Sequence, residues 1–242
     1  MYMELNNLRK DSDIKPIVLF DYHDSRASRC AVEYLNGYQG YLQVDGYAGY
    51  HHTQATLVGC WAHARRKFHE AKIAQGKKPS GKADLALSTI QKLYRIETQI
   101  KTLPISERYQ IRQEKALPII STFKDWLIKS EQQVLPKTKL GEAILYTLNQ
   151  WDKLIAYTQD GQLNIDNNRA ERCVKPFVIG RKNWLFSQTA KGAHASAVLY
   201  SIIETAKANG LVPFDYLMHV LDTISHADVD IDAILPWKVQ LS

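Results

Sequence analysis

Apolar and polar positions alternate in short runs over the first seventy residues, then settle into long helical stripes. Met1 to Leu8 reads as an edge strand, followed by a charged turn over Arg9 to Asp13. Ile17-Val18-Leu19-Phe20, after Pro16, is an uninterrupted apolar run whose length suits a buried strand. Ala27, Cys30, Ala31, Tyr34 and Leu35 then recur at helical spacing, with Gly37 as the terminator. Leu42 and Val44 point one way and Tyr41, Gln43 and Asp45 the other, which predicts a strand ending at Asp45, where Gly46, Ala48 and Gly49 discourage continuation. A further strand is expected over Ala55 to Val58 and a helix from Trp61 to Glu70. Strand, strand, helix, strand, strand, helix is an α/β pattern.

From about Ala83 to Asp160 the texture becomes wholly helical. Leu85, Leu87, Ile90, Leu93, Tyr94, Ile96 and Ile100 form one stripe, and Pro104 and Pro118 punctuate further helices. One of these carries Phe123, Trp126 and Leu127; another runs from Leu140 through Trp151 to Tyr157. Such stripes are core positions. Asp166, Asn167 and Asn168 are good N-caps, so a helix bearing Glu171 in its first turn should begin there and end or kink near Lys175, before Pro176. Lys191 to Asn209 and the segment from Pro213 through Leu221 predict two more helices. The expected organisation is 1–75 as the first part of a core, 82–160 as a helical insertion, 161–225 as the rest of the core, and 226–242 as a tail.

Charge narrows the partners. The 242 residues carry a formal net charge of +6, which favours a polyanion because neutralising phosphates releases counterions. Cys30, Cys60 and Cys173 are odd in number and far apart, so a disulfide framework is not expected. No apolar run approaches the roughly 18 residues of a membrane span, and the start lacks a signal-peptide pattern; a cytoplasmic protein is expected.

Two stretches carry candidate chemistry. Asp45 sits where a sheet presents a metal ligand or catalytic acid at its edge, although Asp-Gly after a strand is also an ordinary turn. Glu171 has capping-box spacing from Asn168 and is flanked by Arg169, Arg172 and Lys175, so a cap or surface ion pair competes with a functional carboxylate. Arg65, Arg66 and Lys67 form a basic helical cluster. In Arg181-Lys182-Asn183-Trp184-Leu185-Phe186, cations interleave with aromatic rings, as on surfaces that bind phosphate and stack on bases. Cys60 and His63 have half of a zinc-site spacing, with no second half nearby.

Four runs together resemble a known family: Gly40-Tyr41-Leu42-Gln43-Val44-Asp45-Gly46-Tyr47-Ala48-Gly49-Tyr50, Gly59-Cys60-Trp61-Ala62-His63-Ala64-Arg65-Arg66-Lys67-Phe68, Asp166-Asn167-Asn168-Arg169-Ala170-Glu171-Arg172 and Gly180-Arg181-Lys182-Asn183-Trp184-Leu185-Phe186-Ser187. In order along the chain, they are similar to the insertion sequence sixty-six family of bacterial transposases, as are Ala206 to Pro213. The resemblance implies an α/β, ribonuclease-H-like mixed sheet flanked by helices, with an all-helical insertion. It implies a DDE catalytic core in which Asp45 is the second acid and Glu171 the third, with Cys60 and His63 as a structural C-x-x-H element. Two Mg2+ (or Mn2+) ions would be clamped by the carboxylates, which is the chemistry of DNA cleavage and strand transfer.

Double-stranded DNA, both element ends and target, would be the partner in a bacterial, nucleoid-associated setting. Arg65, Arg66, Lys67, Arg169, Arg172, Lys175, Arg181, Lys182 and Trp184 are the candidate DNA contacts. The first acid of the triad is expected upstream of Met1, so this chain alone would be incomplete, acting as a homo-oligomer or with a separate N-terminal part. Asp21 ends a strand too, but not the strand that carries the first acid. The alternatives are a non-catalytic DNA-binding or regulatory fragment, and a metal-dependent nuclease of the same fold.

Overall fold

The computed structural model describes residues 2–4, 15–76, 81–184 and 187–241; the Arg9 to Asp13 turn, Phe186, and the side chains of Arg181 and Trp184 lie outside the described residues. The chain divides into two compact units, one continuous over Ala27–Asn168, the other combining Met1–Arg26 with Arg169–Ser242.

The continuous unit holds most of the core. It opens with α1 (Ser28–Tyr34), ended near Gly37 at φ +79°. Strands β3 (Tyr41–Gln43) and β4 (Thr56–Val58) pair in parallel, and the ladder runs on through Val44, whose N–H donates to Val58 O at 2.8 Å. Helix α2 (Trp61–Gln75) follows, then α3 (Lys82–Gln99), α4 (Ile105–Ile111), α5 (Leu117–Glu131), α6 (Lys139–Asn149) and α7 (Trp151–Ile155). Most of the predicted apolar stripes are buried, Leu85 at the start of its stripe being exposed: Trp61, Phe68, Ile90, Leu93, Phe123, Leu127, Ile144 and Leu154 share one cluster. Trp61 anchors it, packing its ring within 6.2 Å of both Phe123 and Trp151 while its indole N–H donates to Leu154 O at 2.8 Å. A buried indole needs such a partner.

A charged hub closes this unit. Between α4 and α5 the helix widens to a π-turn over Arg112–Ala116, as happens where a side chain imposes its own geometry on the ladder. The Arg112 guanidinium is fully buried and grips Glu97 at 2.9 and 2.7 Å. It also donates to the carbonyls of Tyr157, Asp160 and Leu163 at 2.8, 2.6 and 2.8 Å. The segment returning from α7 is therefore tied to α3 and the π-turn by one side chain.

In the split unit, β1 (Tyr2–Glu4) and β2 (Val18–Phe20) pair antiparallel with Met3 opposite Leu19. Helix α8 (Asn168–Trp184), whose first residue closes the continuous unit, is followed by α9 (Ala190–Ala208) and α10 (Pro213–Ile224). Phe20, Phe177 and Tyr200 bring β2, α8 and α9 together, with Phe177 and Tyr200 ring centroids 4.6 Å apart.

The expected ribonuclease-H-like mixed sheet is not formed. Among the described residues there are two separate two-stranded sheets, one antiparallel and one parallel, within a predominantly helical chain. The physical reason is visible at the strand edges. On β2, the groups that would take a third strand are taken by hydroxyls of α9: Thr205 accepts from Val18 N–H and donates to Val18 O, both at 3.0 Å. Ser201 likewise accepts from Phe20 N–H at 2.8 Å and donates to Phe20 O at 3.4 Å. Beyond β4, Gly59 N–H donates to Lys153 O at 2.8 Å, and a Cβ on Gly59 would come within 3.1 Å of Leu154 N. The strand end meets helix backbone there, not another strand.

Pro176 is a second departure. The helix expected to stop or kink near Lys175 is assigned as one helix to Trp184. The imide removes the bond to the Arg172 carbonyl, a local loss that the packing of Phe177 against Phe20 and Tyr200 offsets.

Candidate functional site

Asp45 follows β3 and is exposed. Its Oδ1 accepts the Tyr47 N–H at 2.9 Å, so the residue does make an Asx turn, and the turn holds the carboxylate at the sheet's end. Gly46 has φ +98°, and a Cβ there would stand 2.9 Å from the Tyr146 hydroxyl; both the left-handed backbone and the close approach require glycine. That hydroxyl donates to the Asp45 carbonyl at 3.3 Å. Burial, and then the neighbouring Cys60 and Asp45, push the Tyr146 pKa up to about 12, against the opposing charge of Arg66. Lys67 Nζ lies 5.2 Å from the centre of the Tyr146 ring. Asp45 is thus set beside the basic face of α2, as the sequence suggested.

Cys60 is the N-cap residue of α2 and is buried. Its Sγ accepts the Asn167 N–H at 3.2 Å. Burial, chiefly, pushes the thiol's pKa up, so it serves as a neutral acceptor and not as a nucleophile. Trp61 N–H donates to Ile165 O at 3.1 Å. Two bonds therefore pin the Ile165 to Asn167 segment to the start of α2. A third constraint comes from α3, where the Tyr94 hydroxyl donates to Asp166 Oδ2 at 2.9 Å; burial and then the Asp166 charge push Tyr94's pKa up. Asp166 Oδ1 accepts the Asn168 N–H at 3.1 Å and Oδ2 the Asn168 side-chain amide at 2.8 Å. The helix begins with Asn168 itself, and the capping bond comes from Asp166.

Glu171 is the fourth residue of α8, exposed, in the first turn. On the same helix Arg172, Lys175 and Lys182 are exposed and Arg169 is half-buried. The side chains of Arg181 and Trp184 lie outside the described residues. Asp45 belongs to the continuous unit and Glu171 to the split one. Asp21 pairs with His23 at 2.7 Å, after β2.

Sequence reasoning missed Tyr94, Tyr146 and Asp166 as structural partners of the acidic and basic stretches. The available signal was a tyrosine within an otherwise leucine and isoleucine stripe, since a buried hydroxyl needs a partner. It also missed a cleft of about 590 Å³ between α2 and α3, lined by Ala62, Arg65, Arg66 and His69 on one wall, Gln91, Tyr94 and Thr98 on the other, and Asn168.

The comparison with known proteins settles the lineage. Residues 2–195 match the Transposase IS66 family and residues 201–237 match the IS66 C-terminal element. The chain belongs to the IS66 family of transposases. Three uncharacterized proteins of Sinorhizobium fredii, y4qI, y4hP and y4jD, are 32%, 33% and 33% identical to this IS66-family chain, each over 92% of it. The chain spans 43%, 44% and 46% of their lengths, less than half of the curated relatives it matches. No solved structure matches. Among the described residues no helix is long and apolar enough to cross a membrane.

A divalent metal is implied by the family, and the donor chemistry can be tested. Asp45 and Glu171 supply exposed, hard, anionic oxygens, which suit Mg2+, an ion commonly held by one or two carboxylates together with substrate phosphates. Among the described residues no group of three His, Cys, Asp or Glu side chains could hold a metal. Each carboxylate has the donor chemistry to join substrate phosphates around such an ion.

Proposed function

We propose that this chain is the catalytic portion of a DDE-type insertion-sequence transposase, with Asp45 and Glu171 as two of its acids. Mg2+ or Mn2+ would be held by these carboxylates and DNA phosphates. When bound, such ions activate a water or 3′-hydroxyl and stabilise the leaving oxygen. Asp45 presents its carboxylate from a fixed turn, Glu171 from a helix's first turn, and Arg65, Arg66 and Lys67 on α2 with Arg169, Arg172, Lys175 and Lys182 on α8 supply phosphate contacts. The partner is double-stranded DNA at element ends and target. The observation carrying this reading is the family match over residues 2–195, which includes both acids in their motifs.

One observation favours a second reading. The formal net charge of +6 suits a DNA-binding or regulatory module that does no chemistry alone. A Mg2+-dependent nicking and strand-transfer assay on duplex carrying the element's terminal repeats separates the two. With the part that carries the upstream acid supplied, the first reading predicts cleavage that Asp45→Asn and Glu171→Gln in this chain each reduce below detection. Cleavage surviving both substitutions refutes the acid assignment, and DNA binding without cleavage supports the regulatory module.

A further inference from the structure

The cleft between α2 and α3 adds an aromatic ring, an amide and a hydroxyl to the phosphate contacts already given to Arg65 and Arg66. Arg65, Arg66 and His69 fall at i, i+1 and i+4 and face the cleft from α2; Gln91, Tyr94 and Thr98 fall at i, i+3 and i+7 and face it from α3. Arg65 with His69, and Gln91 with Tyr94 and Thr98, have the spacings that share one helix face, and Arg66 flanks the first pair. One wall is thus cationic and the other is built of an amide, an aromatic ring and a hydroxyl. No acidic side chain is among the lining residues.

Two of the polar groups are held in place from behind. The Tyr94 hydroxyl is committed to Asp166 at 2.9 Å, which holds the ring among the residues that line the cleft. The Asn168 side-chain amide donates one N–H to the same carboxylate at 2.8 Å, leaving its second N–H and its oxygen for another partner. Asp166 thereby orients two groups while its own charge is spent on hydrogen bonds.

Size decides what this surface fits. Sites of about 300–1,000 Å³ enclose a group of small-molecule dimensions, and the cleft of about 590 Å³ is within that range. A duplex, whose major groove alone is about 12 Å wide, can lie across such an opening without entering it. An unpaired nucleotide can enter, and it carries what the two walls recognise: an anionic phosphate, a flat π-face and a hydrogen-bonding edge.

We propose that the α2–α3 cleft binds an unpaired nucleotide of a DNA strand. The phosphate rests on Arg65, Arg66 and His69, and the base lies over the Tyr94 ring with its edge toward Gln91 and Asn168. This rests on the reading that the chain acts on DNA, and it adds that the chain distinguishes frayed, overhanging or extrahelical DNA from a closed duplex.

Fluorescence anisotropy with the whole chain tests it, comparing a blunt duplex with the same duplex carrying a short unpaired overhang, at one salt concentration. The expected result is about tenfold tighter binding of the overhang, the scale of one stacked base. Gln91→Glu changes an exposed helix position without altering its size, and Arg65→Gln removes one phosphate contact. Each is expected to bring the two affinities within about twofold of one another, with circular dichroism matching the unsubstituted chain. Equal affinities in the unsubstituted chain overturn the proposal, as does a preference that survives both substitutions. Equal or tighter binding of the same overhang made of RNA overturns the assignment to DNA. Duplex binding without preference leaves the transposase reading standing, whereas absence of all DNA binding removes both.

Discussion

Arg112→Met isolates the device that shapes the continuous unit. Methionine keeps the apolar stem but deletes the guanidinium, and with it the two bonds to Glu97 and the three to the carbonyls of Tyr157, Asp160 and Leu163. The Arg112 side chain is 0% exposed and that of Glu97 7%, so water cannot replace what is lost. Removing one partner of such a buried pair costs about 3–5 kcal/mol. At about 2–4 °C per kcal/mol for a chain of this size, the melting transition should fall by roughly 6–20 °C.

Calorimetry of the whole chain reads this, with tryptophan fluorescence assigning the transition once Trp184 and Trp237 of the split unit are replaced by Phe, since Trp61, Trp126 and Trp151 lie in the continuous unit. Combining Arg112→Met with Glu97→Leu removes the stranded carboxylate and should recover about 1–3 kcal/mol, leaving the cost of the three carbonyls. A single variant within about 1 kcal/mol of the unsubstituted chain, or a double variant worse than the sum of its singles, would refute the hub.

Three further outcomes are expected. Gly46→Ala should cost about 1–2 kcal/mol because of its positive φ and the Tyr146 hydroxyl, and adding Tyr146→Phe should relieve the contact but not the backbone strain, which urea midpoints separate. The folded chain holds the Tyr146 proton until about 12, whereas an unfolded tyrosine releases it near 10. That stabilisation is whole below about pH 10 and declines between about 10 and 12, so Tyr146→Phe should flatten the loss of stability across this window. Thr205→Val keeps the shape and deletes both bonds to Val18; a cost of about 1–3 kcal/mol, seen in hydrogen exchange at β2, checks the hydroxyl cap on that strand.

Much of the helical order was legible because periodicity reports burial directly: the stripe from Ile90 to Ile100 and the Trp61 face are core in the structure. The sheet was not legible. What decides whether β2 takes a third strand is a pair of hydroxyls on α9, Ser201 and Thr205, more than 180 positions away, and an isolated Ser or Thr in a helix carries no sign of its partner. Pro176 does not end its helix, and the local rule about proline says nothing of the aromatic packing around Phe177. Asp45 could be placed at a strand's end from alternation alone, and the turn reading holds, since its Oδ1 accepts the Tyr47 N–H. Arg112 was invisible because a buried charge in a helical stripe reads as a surface position until its partners, Glu97 and three distant carbonyls, are known.

The central proposal is that Asp45 and Glu171 are acids that hold the metal ions acting on DNA. Iron-mediated hydroxyl-radical cleavage tests it without requiring turnover: Fe2+ replaces Mg2+ in the complex of the chain with terminal-repeat duplex, and radicals cut the backbone beside the ion. Peptide mapping is predicted to find cuts at both Asp45 and Glu171, and both should vanish in Asp45→Asn. Cuts at one site alone, or cuts indifferent to Asp45→Asn, would contradict the account.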